Sequence, residues 1–244
     1  MESINKQLDS LFEYWKAKSK ALKDADEIVT DGIMRKFITT DTINNTPWKD
    51  RNLRIAFLVK DNPDGAHDTR NWLEKEDNRN LKSVFLHKIA NLFYGLSHST
   101  NDDGKQWWFG EIEQHAEDVK TFFNTEPFAF VECKKQSGTT EIDDKKLETY
   151  IKKYKNLLNE EIEILNPNII VCMGQPIFDF VLKMYSATEE NLVAEKNIHY
   201  IPSCKKVIIY AAHPSGRDSY QNHYEGVMHW YRQFLHSKAY KEFM

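Results

Sequence analysis

The chain has 244 residues and a formal net charge of -4, with 41% hydrophobic and 29% charged residues. That length suits one α/β domain that buries a sizeable core without disulfide or metal staples, and the charge excludes a ligand-binding mode that works through bulk positive potential, leaving only local basic patches. No stretch approaches the roughly 18 apolar residues of a membrane span, and the first residues lack the basic and apolar regions of a secretion signal, so a cytoplasmic protein with no membrane partner is expected.

Residues 2–24 read as an amphipathic helix, with Ile4, Leu8, Leu11, Phe12, Trp15 and Leu22 near one face. Residues 25–50 are mixed and polar, with Asp31-Gly32 and Thr46-Pro47 as turn signals. The apolar run 54–59 predicts a first strand. A helix is expected near 79–95, with Val84, Phe85, Ile89, Leu92 and Phe93 inward and Gly95 as its stop. Residues 97–110 form a loop, with a helix starting just after it. A second strand is expected at 128–132, a strong helix at 143–165, a third strand at 169–173 and a helix at 176–185. A fourth strand at 206–212 and a final helix at about 219–236 complete the pattern.

One helix followed by four strand–helix units argues for a three-layer α/β/α sandwich around a central, mainly parallel four-stranded sheet. Residues 1–50 are read as a helical extension packed on a core domain of 51–244. Cys133, Cys172 and Cys204 are scattered without C-x-x-C spacing, which fits small buried side chains better than a metal or redox centre. No metal and no cofactor are expected, and a monomer is. Lys134-Lys135, Lys152-Lys153-Lys155 and Lys205-Lys206 are candidate basic patches, each equally an ordinary solvated face.

Two polar turns stand out because each is fused to the carboxyl end of a buried apolar run. Lys60-Asp61-Asn62-Pro63-Asp64-Gly65 follows the first strand, and His213-Pro214-Ser215-Gly216-Arg217 follows the last. Open α/β sheets bind their ligands at such strand ends, so the two turns are expected to face each other across one cleft. As a turn sequence alone, Asn-Pro-Asp-Gly needs no function, and a lone histidine after a strand can be a simple turn residue.

The N-P turn after the first strand, the apolar strand leading to Met173-Gly174, and His213-Pro214-Ser215 after the last strand together resemble the uracil-DNA glycosylase superfamily over about residues 50–235. The resemblance implies a DNA partner, single- or double-stranded, and a base flipped out of its stack into a pocket. It places His213 as the donor to the oxyanion that forms on the departing base. It places Asn62 where this family has Asp or Asn to handle water, with Asp61 or Asp64 as helpers, because an amide is a poor general base. Lys60 and Pro63 border the base, although Lys60 stands where a glycine is usual and Asp64 intervenes before Gly65.

Near the end of the second strand the family carries an asparagine that reads uracil; here Glu132 is the best match. An ionised carboxylate only accepts hydrogen bonds. It suits the amino group of a cytosine-like base, and equally it suits a salt bridge to a neighbouring lysine. Trp72 is the candidate stacking platform, with Trp107-Trp108-Phe109, beside Asp102, Asp103 and Gly104, as a second aromatic group that more often pins a loop to the core. Ser215, Gly216, Arg217 and Lys135 are the expected contacts to phosphates.

The resemblance therefore implies a monofunctional glycosylase acting on uracil or a modified pyrimidine, in repair or in defence against foreign or phage DNA. The alternative is a catalytically inactive member that binds nucleic acid or protein. An unrelated hydrolase or nucleotide-binding protein is disfavoured by the lack of G-x-S-x-G, G-x-G-x-x-G and P-loop patterns.

Overall fold

A computed structural model describes residues 4–34, 46–61, 65, 67–101, 106–136 and 143–244. Helix α1 (Ile4–Ala21) has Ile4, Leu8, Leu11, Phe12 and Trp15 on its buried stripe. Leu22, expected on that stripe, lies past the helix end and is exposed. Asp31-Gly32 is a strand entry, with β1 spanning Gly32–Ile33. Thr46-Pro47 opens the short helix α2 (Thr46–Asp50), where a proline in the first turn loses no intrahelical bond. The buried Trp48 of α2 donates its indole N–H to the Leu165 carbonyl at 2.9 Å.

The parallel strands come from the four apolar runs: β2 (Ile55–Asp61), β3 (Ala129–Lys134), β4 (Ile169–Met173) and, after two short strands, β7 (Lys206–Ala211). The sheet itself has seven strands and is mixed, which corrects the four-stranded expectation. Its order is β1-β3-β2-β4-β7-β6-β5, with β5 at Leu192–Ala194 and β6 at Ile198–Ile201. Strand β1 pairs antiparallel with β3 at one edge, and β6 pairs antiparallel with β7 and β5 at the other. These three strands escaped sequence reading because two to four residues are too few to display a period of two.

Between the strands lie α3 (Glu76–Arg79), α4 (Val84–His98), α5 (Phe109–Gln114) and α6 (Ala116–Thr125), then α7 (Asp144–Leu165) and α8 (Gln175–Met184), and finally α9 (Tyr220–Leu235) and α10 (Lys238–Phe243). Alternate residues of β2 enter opposite cores. Ile55, Phe57 and Val59 join Phe93, Phe123, Tyr224 and Met228 from α4, α6 and α9. Ala56 and Leu58 join Trp15, Tyr154, Leu158 and Ile177 from α1, α7 and α8. Each large side chain fully buried this way contributes about 1.5–3 kcal/mol. Asp143 caps α7, its carboxylate accepting from the Lys146 N–H at 2.8 Å.

Helix α4 runs through Gly95, which was expected to end it. The glycine is required by packing: a Cβ there would lie 2.8 Å from Tyr224 Cε2 of α9 and closer still to the hydroxyl oxygen. Val84, expected inward, is exposed at the start of α4. Gly95→Ala should lower the unfolding free energy by about 1–3 kcal/mol through overpacking. Gly226→Ala on α9, where a Cβ meets nothing within 4 Å, should be neutral or stabilise by roughly 0.5–1 kcal/mol. Equal urea midpoints for the two variants would contradict the packing account.

The chain leaves β2 for β3 on one side, then crosses back to β4 on the other. Strands β2 and β4 therefore flank a topological switch point, and the crevice beyond their carboxyl ends is where this class of sheet binds ligands. Among the described residues no helix is long and apolar enough to cross a membrane.

Candidate active site

Four chain segments converge at that crevice. Strand β2 ends in Lys60 and Asp61, the latter in register with Lys134 of β3. Strand β4 ends at Met173 and leads into Gly174, whose φ of 134° favours glycine and where a Cβ would lie 3.3 Å from Lys60 Cε. The ends of β2 and β4 thus touch through Lys60, whose ammonium also pairs with Asp144 of α7 at 2.9 Å. Strand β7 leads through Ala212 into His213. Asn62, Pro63 and Asp64, the heart of the first turn, lie outside the described residues, as does the side chain of Asp61.

His213 is held in one tautomer. Its Nδ1 accepts from the Ser215 N–H at 3.3 Å, so the ring hydrogen sits on Nε2. The Gly216 N–H donates to the His213 carbonyl at 2.8 Å, closing a tight turn that leaves Ser215, Gly216 and Arg217 exposed. Burial, with Lys60, His223 and Lys88 nearby, pushes the His213 imidazole down to about 4. It is therefore a neutral N–H donor at physiological pH.

An aromatic cluster borders His213. Phe85, from the first turn of α4, is 5.9 Å from the His213 ring centroid. Phe130 of β3 lies 5.9 Å from Phe85 and 5.2 Å from Trp72. Trp72 sits in a 3-10 turn spanning Thr69–Glu74, with its indole N–H donating to His67 Nε2 at 2.6 Å. His67 in turn donates from Nδ1 to the Gly65 carbonyl at 2.9 Å. The expected platform is thus one ring removed from His213. Phe85, read in sequence as a core side chain, is the ring in contact. Glu132 is wholly buried. It faces the same side of β3 as Phe130 and lies in register with Val59 near the end of β2.

Lys135 does not reach a phosphate-binding surface, and this corrects the sequence expectation. It is wholly buried, with its ammonium 2.6 Å from Asp31 Oδ1 and 2.9 Å from Glu161 Oε1. A charge so enclosed needs its carboxylate partners to offset the loss of water. Asp31 Oδ2 also accepts the Glu132 N–H at 2.6 Å, so this ionic cluster underlies the end of β3.

The aromatic loop is a pin. The Trp107 carbonyl accepts from the Tyr224 hydroxyl and from Arg232 Nη2, each at 2.8 Å. Trp107 and Phe109 are buried, and Trp108 alone is exposed, under the Arg232 guanidinium at 3.7 Å. Trp108 borders an open cavity of 590 Å³ between α5 and α9, separate from the crevice. Asp102, Asp103 and Gly104 lie outside the described residues. Among the described residues, no group of three or more His, Cys, Asp or Glu is placed to hold a metal ion.

Two residues of the crevice were not singled out in sequence. His223 of α9 is buried and donates from Nε2 to the Ala212 carbonyl at 3.0 Å. Lys88 of α4 is buried and donates to the Gly216 and Asp218 carbonyls at 3.1 and 2.8 Å. Both carried a signal. Lys88 falls between Phe85 and Ile89 on an apolar stripe, and His223 adjoins Tyr224 and Val227, so each is a polar residue on a face meant for burial.

Burial, with Lys88 nearby, pushes the His223 imidazole from 6.5 down to about 4. A lowered folded value means stability is present above the unfolded value of 6.5 and lost as the pH falls through about 4. Urea unfolding should show this loss, on the order of 3 kcal/mol from His223. His223→Gln should flatten that part of the profile. An unchanged acid slope would place the titrating group elsewhere.

The uracil DNA glycosylase superfamily model matches residues 81–232, more than half of the chain. The match includes His213-Pro214-Ser215 and begins after the first turn. A search of curated proteins returns no match. The α/β fold with its mixed seven-stranded sheet agrees with the family match, and the chain belongs to the uracil-DNA glycosylase superfamily.

Proposed function

We propose that this protein is a monofunctional DNA glycosylase that hydrolyses the N-glycosidic bond of a flipped-out pyrimidine and leaves an abasic site. The observation that carries the reading is His213: a neutral imidazole, held as an Nε2–H donor, at the crevice beyond β4 and β7. Bond cleavage leaves the electron pair on the base and positive charge on the sugar. The Nε2–H stabilises the base oxyanion without first giving up a charge of its own. Lys60 and Lys88 add positive potential to the same crevice, which favours an anionic leaving group and DNA phosphates alike.

Asn62 orients the water whose oxygen bonds to the sugar C1′ as the C1′–N bond breaks, with Asp61 or Asp64 taking the released proton. The base stacks on Phe85, backed by Trp72 and Phe130, and Pro63 borders it. Glu132, on the face shared with Phe130, reads a hydrogen-bond-donating edge such as the amino group of cytosine. That favours a modified cytosine, as found in foreign DNA, over uracil. Ser215, Gly216 and Arg217, exposed on the turn, contact phosphates.

An inactive binding module is favoured by one observation. Lys60, in place of the usual glycine, is fixed at the crevice by its Asp144 pair. The deciding experiment presents labelled single- and double-stranded DNA carrying uracil, mismatched uracil, or hydroxymethylated or glucosylated cytosine, followed by alkali. Strand cleavage at one base supports the glycosylase and identifies its substrate. DNA binding without cleavage on any substrate supports the module.

A further inference from the structure

The loop that presents His213 is held from beneath by a charge that no packing argument requires. Lys88 is 2% exposed, on an apolar face in the second turn of α4 where a methionine would fill the space. Its ammonium donates to two carbonyls of the loop, Gly216 at 3.1 Å and Asp218 at 2.8 Å. Among the described residues no carboxylate oxygen lies within ion-pair distance of it. Burying a lysine without a carboxylate partner is costly, and two neutral carbonyls compensate its hydrogen bonds but not its charge.

We propose that Lys88 is a positioning residue of the catalytic turn, which ties down the 213–219 loop and places a positive charge behind His213. The two roles are separable. The tether acts through the carbonyls of Gly216 and Asp218, one on each side of exposed Arg217. The charge acts on the His213 ring, which Lys60 of β2, paired to Asp144 of α7, and His223 of α9 also face. Burial holds the Lys88 ammonium below its ordinary value, and the charge of Asp218 in the loop partly opposes that. A positive charge behind the ring disfavours a second proton on it. The imidazole therefore stays a neutral donor, and the field it sits in favours an anion in the crevice.

The role in rate rests on the glycosylase reading; the role in the loop does not, and the test separates them. Lys88→Gln keeps a hydrogen-bond donor without the charge, Lys88→Met removes both, and Lys88→Arg keeps both. The readouts are the His213 titration midpoint by NMR, amide exchange of residues 215–219, and single-turnover cleavage on the substrate found above. Lys88→Gln should raise the His213 midpoint by about half a pH unit or more and leave loop exchange near that of the unaltered protein. Lys88→Met should raise the midpoint equally and speed loop exchange about tenfold or more. Lys88→Arg should restore both. Cleavage at neutral pH should fall about tenfold in the methionine variant. An unmoved midpoint in both uncharged variants overturns the proposal, and Lys88→Gln decides it if Lys88→Met does not fold. If no substrate is cleaved, the glycosylase reading fails while titration and exchange still decide Lys88.

Discussion

Replacing His213 by alanine should slow abasic-site formation by about 10²–10³-fold, the usual cost of one oxyanion donor, while the protein stays folded and still binds DNA. The reason is the state in which the ring is held. A histidine that was protonated in the free enzyme would pair with any anion, substrate phosphates included. This one is kept neutral by burial and by Lys60, His223 and Lys88, so on the glycosylase reading its Nε2–H offers little to the ground state and gains strength as charge builds on the base. The pH profile follows from the same fact. Protonation near 4 frees no new hydrogen on Nε2 but disrupts the Ser215 N–H bond at Nδ1, so activity should be flat with respect to this group above about pH 5 and fall towards 4. Asn62→Ala should also lose most activity if the first turn handles the water. Full activity in both variants, measured by alkali cleavage with circular dichroism as the folding control, would place the site elsewhere.

The largest effect on stability is expected at Lys135. Lys135→Met should cost about 3–5 kcal/mol, because it strands a buried carboxylate without its counter-charge. Burial opposes the Lys135 ammonium, but Asp31 and Glu161 outweigh it and hold the group up at about 12. Burial and the charge of Asp31 together push Glu161 well above the usual carboxylate range. The cluster therefore balances one ammonium against one carboxylate, with the second carboxyl held towards its neutral form. Because the folded value for Lys135 is raised, its contribution is full below the unfolded value of 10.5 and disappears as the pH rises through about 12. Urea unfolding at pH 7 measures the loss, and a change below about 1 kcal/mol would mean that the cluster relaxes or hydrates. The cluster also bears on the crevice. Asp31 joins β1 to the Glu132 N–H, Glu161 brings in α7, and Phe12 and Trp15 of α1 each lie 5.3 Å from the Lys135 ammonium. A partly folded Lys135→Met protein should therefore lose order first at the end of β3 that carries Glu132.

Lys134 and Lys135 show where sequence reading stops. Adjacent strand-end residues point to opposite sides, and with helices packed on both faces of the sheet nothing local says which of the two is buried. The choice is made by Asp31 and Glu161, 104 and 26 positions away. The same holds for Gly95, a good helix terminator by residue type whose role is set by Tyr224 on a distant helix. Phe85 and Trp72 exchange order for a related reason. Both are aromatic, and only the path of α4 brings Phe85 against His213.

By itself the sequence determined the four parallel strands and their flanking helices. Continuous apolar runs and 3.6-residue stripes report burial from local pattern alone, and strand ends fix where a crevice can open. It also placed His213, because that histidine follows its strand directly. Only the tertiary structure decided the three antiparallel edge strands, the burial of Lys135, the tautomer and neutrality of His213, and the lysine beneath its loop. Those properties depend on which charges and carbonyls meet across large separations in the chain, and hydrophobic periodicity carries no record of such pairings.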